Sequence, residues 1–391
     1  MAEWRKKALG DITGYISKGI PPAYTDKDST AAICVLNQKC NKNFDISYED
    51  SRYHDVALRK VPSEKMLRAG DVLINSTGEG TAGRVAQIFQ IPVPTTIDGH
   101  MIVMRPTDEV DSVYYGYAIK NCQKKIESIA EGSTGQTEIN RRRLQEEVLI
   151  KYPVDKDIQK AIGHFLFGID EKIRNNRKIN DNLLAQAQTL YKQFFPYGVQ
   201  DDLPDGWRIG TVGEIIEIHD SKRIPLSGAD RTKMEKKIYP YYGAASLMDF
   251  VDNYIFDGKY LLLGEDGTVV DDAGYPILQY VWGQFWVNNH AHILTGRLGY
   301  DVESLYMLFK QTPVKSIVTG AVQPKISQAN LRSVQVVIPP EHNLREYNDL
   351  VEPLFSLFRA NEEECKTFTA LRDMLLPKLM SGEIDVSAVQ L

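Results

Sequence analysis

Two stretches of the chain carry apolar side chains at alternating steps of three and four residues, the spacing that lines one face of a long α-helix. From Ile158 the first stripe runs through Ile162, Phe165, Ile169, Ile173, Asn176, Ile179, Leu183, Ala187, Leu190 and Phe194. The second holds Leu344, Tyr347, Leu350, Leu354, Leu357, Asn361, Cys365, Phe368, Leu371, Leu375 and Leu379. Both read as coiled-coil seams, with Ile162, Ile169, Ile173, Asn176, Leu183 and Leu190 facing Leu354, Leu357, Asn361, Phe368 and Leu375. At 1.5 Å per residue each helix is on the order of 55 to 60 Å long, the length of a spacer. At an offset of 185, Asn176 maps onto Asn361 and Gly168 onto Pro353. A polar seam residue costs stability and fixes register, so the expectation is two helices paired antiparallel in one alignment. The competing reading has both asparagines facing water.

Outside the helices the pattern changes to β-branched and aromatic runs bounded by Gly, Pro and Asn, as in 97–105 and 275–293, with helical stretches at 113–130 and 302–315. An α+β fold with a largely antiparallel sheet is predicted. The second half repeats the first in the same order. Trp4 to Ile12 aligns with Trp207 to Ile215 at an offset of 203. Asp71 to Thr81 matches Lys259 to Thr268, and Gly135-Gln136 through Pro153 matches Val322-Gln323 through Pro340, both near an offset of 187. One deletion of about sixteen residues in the second copy reconciles the offsets. The predicted organisation is a pseudo-twofold repeat: globular unit 1–153, helix 154–196, globular unit 197–340, helix 341–382 and a tail 383–391. The globular units are expected at opposite ends of the helical rod.

Composition narrows the function. A 391-residue chain with 43% hydrophobic residues is long enough for two or three cores. Its 46 basic and 52 acidic side chains, net −6, speak against a histone-like polycation and, at first sight, against nucleic acid. No apolar run of membrane-spanning length or signal-peptide pattern occurs, so a cytoplasmic protein is expected. Cys34, Cys40, Cys122 and Cys365 form no metal or disulfide pattern. Of the histidines only His290 and His292 fall at i, i+2, the spacing of one strand face. Third and fourth ligands are missing from the pattern, so no metal is expected.

Two strings imitate catalytic motifs. Gly78-x-Gly80-x-x-Gly83 follows a strand as a dinucleotide fingerprint does, but Arg84 to Phe89 reads as another strand, so a tight turn is predicted. Asp205, Asp220 and Lys222 imitate a metal-dependent nuclease. The repeat has no counterpart of Asp205 before Trp4, which favours a linker. The strings of a methyltransferase, serine hydrolase, zinc protease or P-loop are missing, and no catalytic residue is assigned.

Residues 1–153 hold 21 basic and 20 acidic side chains, and 196–340 hold 13 and 17, so any nucleic-acid contact must be focal. Basic clusters at Arg5–Lys7, Lys120 with Lys124–Lys125, Arg141–Arg143, Lys222–Arg223 and Arg231–Lys237 could position phosphates, with base edges read by Arg, Lys, Gln, Asn and Thr.

In this order the paired Trp-Arg starts, the Leu203-Pro-Asp-Gly-Trp207 opening of the second half, Gly132 to Gln136 with its counterpart Thr319 to Gln323, the two helices and Leu375 to Ile384 resemble the specificity (S) subunit of type I restriction-modification systems. The resemblance covers essentially the whole chain. It implies two target recognition domains, each reading half of a bipartite double-stranded DNA site, and two helices acting as ruler and docking surface. It further implies two modification (methyltransferase) subunits carrying S-adenosylmethionine, and restriction subunits supplying the ATP- and Mg-dependent nuclease. No cofactor is expected in this chain, and the subunit is expected to be non-catalytic. Within each unit the expected DNA contacts are Lys18, Thr77, Thr81, Arg84 and Arg141 in the first, and Lys222, Arg223, Lys233, Thr268 and Lys325 in the second. A nuclease using Asp205, Asp220 and Lys222, or a protein-only scaffold, are the rival classes.

Overall fold

The computed structural model describes residues 3–132, 137–320 and 322–386. The Ser133 to Gln136 part of the repeated Gly-Gln string lies outside the described residues, as does the end of the chain beyond 386. The fold divides into two compact units. One takes the chain up to Asn175 together with everything from Glu364 onward, and the other runs from Asn176 to Glu363.

Each unit is built on the same plan. In the first, Trp4–Ala8 pairs antiparallel with Leu149–Pro153. A four-stranded antiparallel sheet follows in the order Thr13–Lys18, Met101–Pro106, Val72–Asn75, Val85–Gln87. In the second, Arg208–Thr211 pairs with Gln335–Ile338, and the larger sheet runs Ile216–Ile218, Ala291–Gly296, Tyr260–Gly264, Leu278–Val281. A further mixed sheet in each unit contains one parallel pair, Ala32–Leu36 with Thr95–Ile97 and Tyr239–Tyr242 with Gln284–Val287. Their edges differ: the first unit adds Tyr24–Thr25 outside Arg52–Asp55, and the second adds Phe256–Asp257 beside Gln284–Val287.

The central strands are apolar without interruption because both of their faces are covered. Val72 and Ile74 join Ile102, Met104 and the tyrosines of helix Ser112–Asn121 in one core, while Leu73 turns to the opposite core with Met101, Val103 and Ile97. Leu261 and Leu263 against Leu262 divide the second unit in the same way. Alternation of side chains along a strand feeds both layers from one run. Helix 113–130 of the sequence reading is broken at Cys122 into Ser112–Asn121 and Gln123–Ser128, and 302–315 shortens to Val302–Phe309 with a 3₁₀ turn at Lys315–Ile317. Between Val72–Asn75 and Val85–Gln87, Gly78, Gly80 and Gly83 all take positive φ in the turn expected there. Gly78 takes φ 110°, a conformation that L side chains rarely adopt, so the turn favours glycine there.

The long helices are Lys156–Phe194 and Glu341–Ser381. Within the first unit Arg372 meets Asp170 and Cys365 meets Ile173, and within the second Asn361 meets Asn180 and Tyr347 meets Ala187. The partner's number falls as the other rises, so the pairing in each unit is antiparallel. Asn176 (2% exposed) and Asn361 (9%) are buried, which overturns the solvent-facing alternative. Three expected seam positions are corrected: Ile179, Leu350 and Leu357 are nearly half exposed. The buried positions beside them are Asn180 and Val351 instead, keeping steps of three and four in alternation (173, 176, 180, 183 and 344, 347, 351, 354). Apolarity misled the reading because the true seam residue at 180 is a second asparagine. Leu190, Leu354, Phe368 and Leu375 are half-buried. Of the expected tail, Ile384 and Val386 pack with Trp4 in the first unit's core, while 387–391 lie outside the described residues; just before it, Lys151 Nζ donates to Ser381 O at 2.6 Å.

Candidate nucleic-acid interface

In the first unit the central strand ends at Asn75 and delivers a turn whose neighbours come from far along the chain. Ser76 N donates to His100 O at 2.8 Å, and His100 N donates in turn to Asp98 Oδ1 at 2.9 Å. Thr77 Oγ1 lies 2.8 Å from His100 Nδ1. Across a β-bridge Thr77 faces Glu138, whose carboxylate is ion-paired with Lys18. Asn140 caps the helix Arg141–Glu147 by accepting from Arg142 N and Arg143 N. Lys18, Glu131, Glu138, Asn140 and Arg141 line one cavity of about 400 Å³. Three of the expected contacts, Lys18, Thr77 and Arg141, are therefore brought together, and Thr81 follows through its hydroxyl to Thr77 O at 3.4 Å. Arg84 turns to a different cavity.

The second unit builds the same turn with other chemistry. Glu265 N donates to His290 O at 2.8 Å, and His290 N to Asn288 Oδ1 at 2.8 Å. Asp266 bridges Lys325 as Thr77 bridges Glu138, with His290 Nδ1 3.6 Å from the Asp266 carboxylate. Lys325 pairs with Glu265 at 3.2 Å and Asp266 at 3.3 Å. The rung that is Thr77·Glu138 in one unit is thus Asp266·Lys325 in the other, with the charge at the second position reversed. Thr268, Lys222 and Lys233 are exposed. The sequence reading missed Glu138, Asp266 and the turn histidines; their signal was a third offset of 190, linking Asp98 to Asn288 and His100 to His290.

Arg223, an expected DNA contact, is instead committed inside the second unit. Its guanidinium donates to Glu265 at 2.7 Å and to Ala291 O at 2.9 Å and lies 3.3 Å from Asp220. His290 and His292 do not share a strand face: His290 sits in the turn, while His292 is on the strand and wholly buried. His292 Nδ1 lies 2.6 Å from Asp220 Oδ2, and Nε2 lies 2.8 Å from Ile326 O. Asp220 also accepts from Ile293 N and Gln328 Nε2. Burial raises the Asp220 pKa, but the His292 hydrogen bond and charge, the Ile293 N–H and the Arg223 charge together outweigh it and hold the carboxyl below the ordinary aspartate value. Asp220, Glu265 and His292 are close enough to share a metal ion, yet their donor atoms are already spent on each other, on Arg223 and on the backbone. Asp205 lies exposed in the turn before Trp207 and Asp220 in the interior, an unsuitable pair for a nuclease site.

Residues 1–185 and 204–364 both match the profile described as type I restriction modification DNA specificity domain. The chain belongs to this family. It carries two copies of the specificity domain, one to each half of the repeat. Among its relatives is the type I restriction enzyme MjaIX specificity subunit of Methanocaldococcus jannaschii, 23% identical over 98% of this chain and 94% of that one. A putative type I restriction enzyme specificity subunit of Haemophilus influenzae is 28% identical over 47% of this chain and 42% of its own length. The crystal structure of a type I restriction-modification S subunit from M. genitalium superposes with a TM-score of 0.58 at 18% identity, over 97% of this chain and 96% of the other, and shares the specificity fold. Among the described residues no helix is long and apolar enough to cross a membrane.

Proposed function

We propose that the chain is the DNA-specificity subunit of a type I restriction-modification complex, with each unit reading one half of a bipartite double-stranded target. The observation that carries this reading is the shared turn: one framework, set by matched backbone bonds at Ser76–His100 and Glu265–His290, presents Thr77 and Glu138 in one unit and Asp266 and Lys325 in the other. Two equal scaffolds with unequal polar groups are what reading two different half-sites requires. Lys18, Thr77, Thr81 and Arg141 serve the first half-site, and Lys222, Lys233, Thr268 and Lys325 the second. The paired helices dock two modification (methyltransferase) subunits, which bring S-adenosylmethionine and the methyl transfer, and restriction subunits bring the ATP- and Mg-dependent cleavage. This chain contributes recognition and no catalytic group.

The test is the methylation pattern of the assembled complex with Thr77 or Arg141 replaced by alanine. Relaxation by about 1 to 3 kcal/mol at one base pair of one half-site is expected. Changes spread over both halves would sink the assignment of one unit to each half, and a complex without any sequence preference would leave the chain a protein-only scaffold.

A further inference from the structure

On the first unit Arg84 opens onto a cavity of about 390 Å³ that the base-reading turn does not use, lined also by Asn41, Lys42, Phe44, Lys120 and Gln123. Its positive charges are poorly matched. Lys120 Nζ donates to Gln123 Oε1 at 2.8 Å and sits 5.7 Å from the Phe44 ring centre, and no carboxylate among the described residues comes within ion-pair distance of it. Arg84 makes one side-chain bond, from Nη2 to Gly80 O at 3.0 Å, and it too lacks a carboxylate partner there. An ammonium offers three donors and a guanidinium five, so most of this donor capacity points at no protein acceptor. Lys42 at the rim is held by Asp50 at 2.8 Å, and Glu127 is engaged by Gln123 Nε2 at 2.8 Å. Burial, and then the nearby Arg372 charge, hold the Lys120 ammonium below the ordinary lysine range, against the opposing pull of the more distant Asp373, Glu127 and Asp170 carboxylates.

The wall of the cavity is also strained. Asn43 and Phe44 are successive non-glycine residues at φ of 53° and 68°. Asn41, 1% exposed, donates its Nδ2 to Arg84 O at 2.9 Å and so ties the strained segment to the backbone that carries Arg84. Backbone held in the left-handed region collects at ligand sites, where the surrounding fold maintains it.

We infer that this cavity is a subsite for a phosphate group of the DNA backbone, with Lys120 and Arg84 as its ligands. The inference rests on the reading of the first unit as a DNA-recognition domain and adds to it a division of labour. The Thr77–Glu138 turn reads bases, and the Arg84–Lys120 cavity neutralises a phosphate that carries no sequence information.

The test uses the full chain with its methyltransferase subunits, as parent, as R84Q/K120Q and as the charge-retaining R84K/K120R. Affinity for a mixed-sequence duplex is measured against salt, and preferred sequences are selected from a randomised pool. The expected result is a salt slope shallower by about 1 in R84Q/K120Q, weaker binding by one common factor on every sequence, an unchanged selected sequence and recovery in R84K/K120R. An unchanged slope, or a changed base at one half-site, overturns the phosphate assignment while leaving the DNA-recognition reading intact. Failure of the parent to select any sequence overturns that reading instead. A second arm titrates the parent with inorganic phosphate at constant ionic strength. Saturation that is lost in R84Q/K120Q but does not compete with the duplex would make the cavity a site for free phosphate and overturn its assignment to DNA.

Discussion

Arg372 illustrates how much of the fold rests on single charged side chains brought in from a distance. Its guanidinium donates to Asp170 at 2.7 Å, and the same carboxylate accepts from the Tyr117 hydroxyl at 2.6 Å, both in the buried part of the first unit. Arg372→Ala strands a buried carboxylate and should cost about 3 to 5 kcal/mol in denaturant unfolding, most of it recovered when Asp170→Leu is added. In the second unit Glu303, wholly buried, accepts from Lys259, Tyr280 and Arg359, and Arg359 also grips Glu352. Burial raises the Glu352 pKa, but its bonds from Arg359 and its pairing with Lys259 outweigh that and lower it, as His292 lowers Asp220. Carboxyls depressed on folding stabilise above the ordinary carboxylate range and cease to do so as pH falls through their folded values. The melting temperature should therefore drop as pH is taken below about 4, and less steeply in Asp220→Asn; an equal slope in the variant would refute this role. Residue-scale features of this kind were the least legible in the sequence. Nothing in Lys222-Arg223 told that one side chain is exposed and the other committed to Glu265, because the partner arrives from 42 positions away.

Among the elements, the two long helices were legible because a heptad needs no tertiary information to be seen, whereas the choice between neighbouring positions did. Asn361 Nδ2 donates to Asn180 Oδ1 at 2.9 Å, and Asn180 donates to Glu362 at 2.8 Å, so the polar seam is satisfied across the helix pair instead of by water. Two glycines on the first long helix behave in opposite ways. At Gly163 a Cβ would stand 2.8 Å from Tyr114 N, so the helix crosses the start of Ser112–Asn121 at backbone contact. At Gly168 a Cβ would meet nothing within 4 Å. Gly163→Ala should destabilise by about 1 to 3 kcal/mol, and Gly168→Ala should stabilise by about 0.5 to 1 kcal/mol through helix propensity. Equal effects in paired unfolding curves would contradict the crossing. Gly168, which the repeat aligns with Pro353, is thus a matter of local helix preference alone, while Gly163, the glycine with a packing reason, has no signal in the repeat.

For the whole molecule the net charge of −6 takes on a different meaning once it is divided along the chain. Residues 341–382 carry 5 basic and 8 acidic side chains, an acidic surplus on a helix that is proposed to meet protein and not DNA. The isolated chain should accordingly bind DNA weakly and lose that binding readily with salt, and gain affinity when methyltransferase subunits are added. Tight, salt-resistant, site-specific binding by the chain alone would refute this. The repeat itself could be read at sequence level because both copies kept their strand cores and turns in order. Which stretches complete which unit could not, since Leu376, Leu379, Met380 and Val386 belong to the core that begins at Leu9. That closure has a consequence for biosynthesis. A ribosome releases the second unit as one continuous segment, 176–363, but the first stays unfinished until residues 364–386, which complete its core, have emerged. The half made first is completed last, so a premature stop after Glu363 should expose the apolar interior of the amino-terminal half and leave the later half intact, as limited proteolysis of the truncated product would reveal.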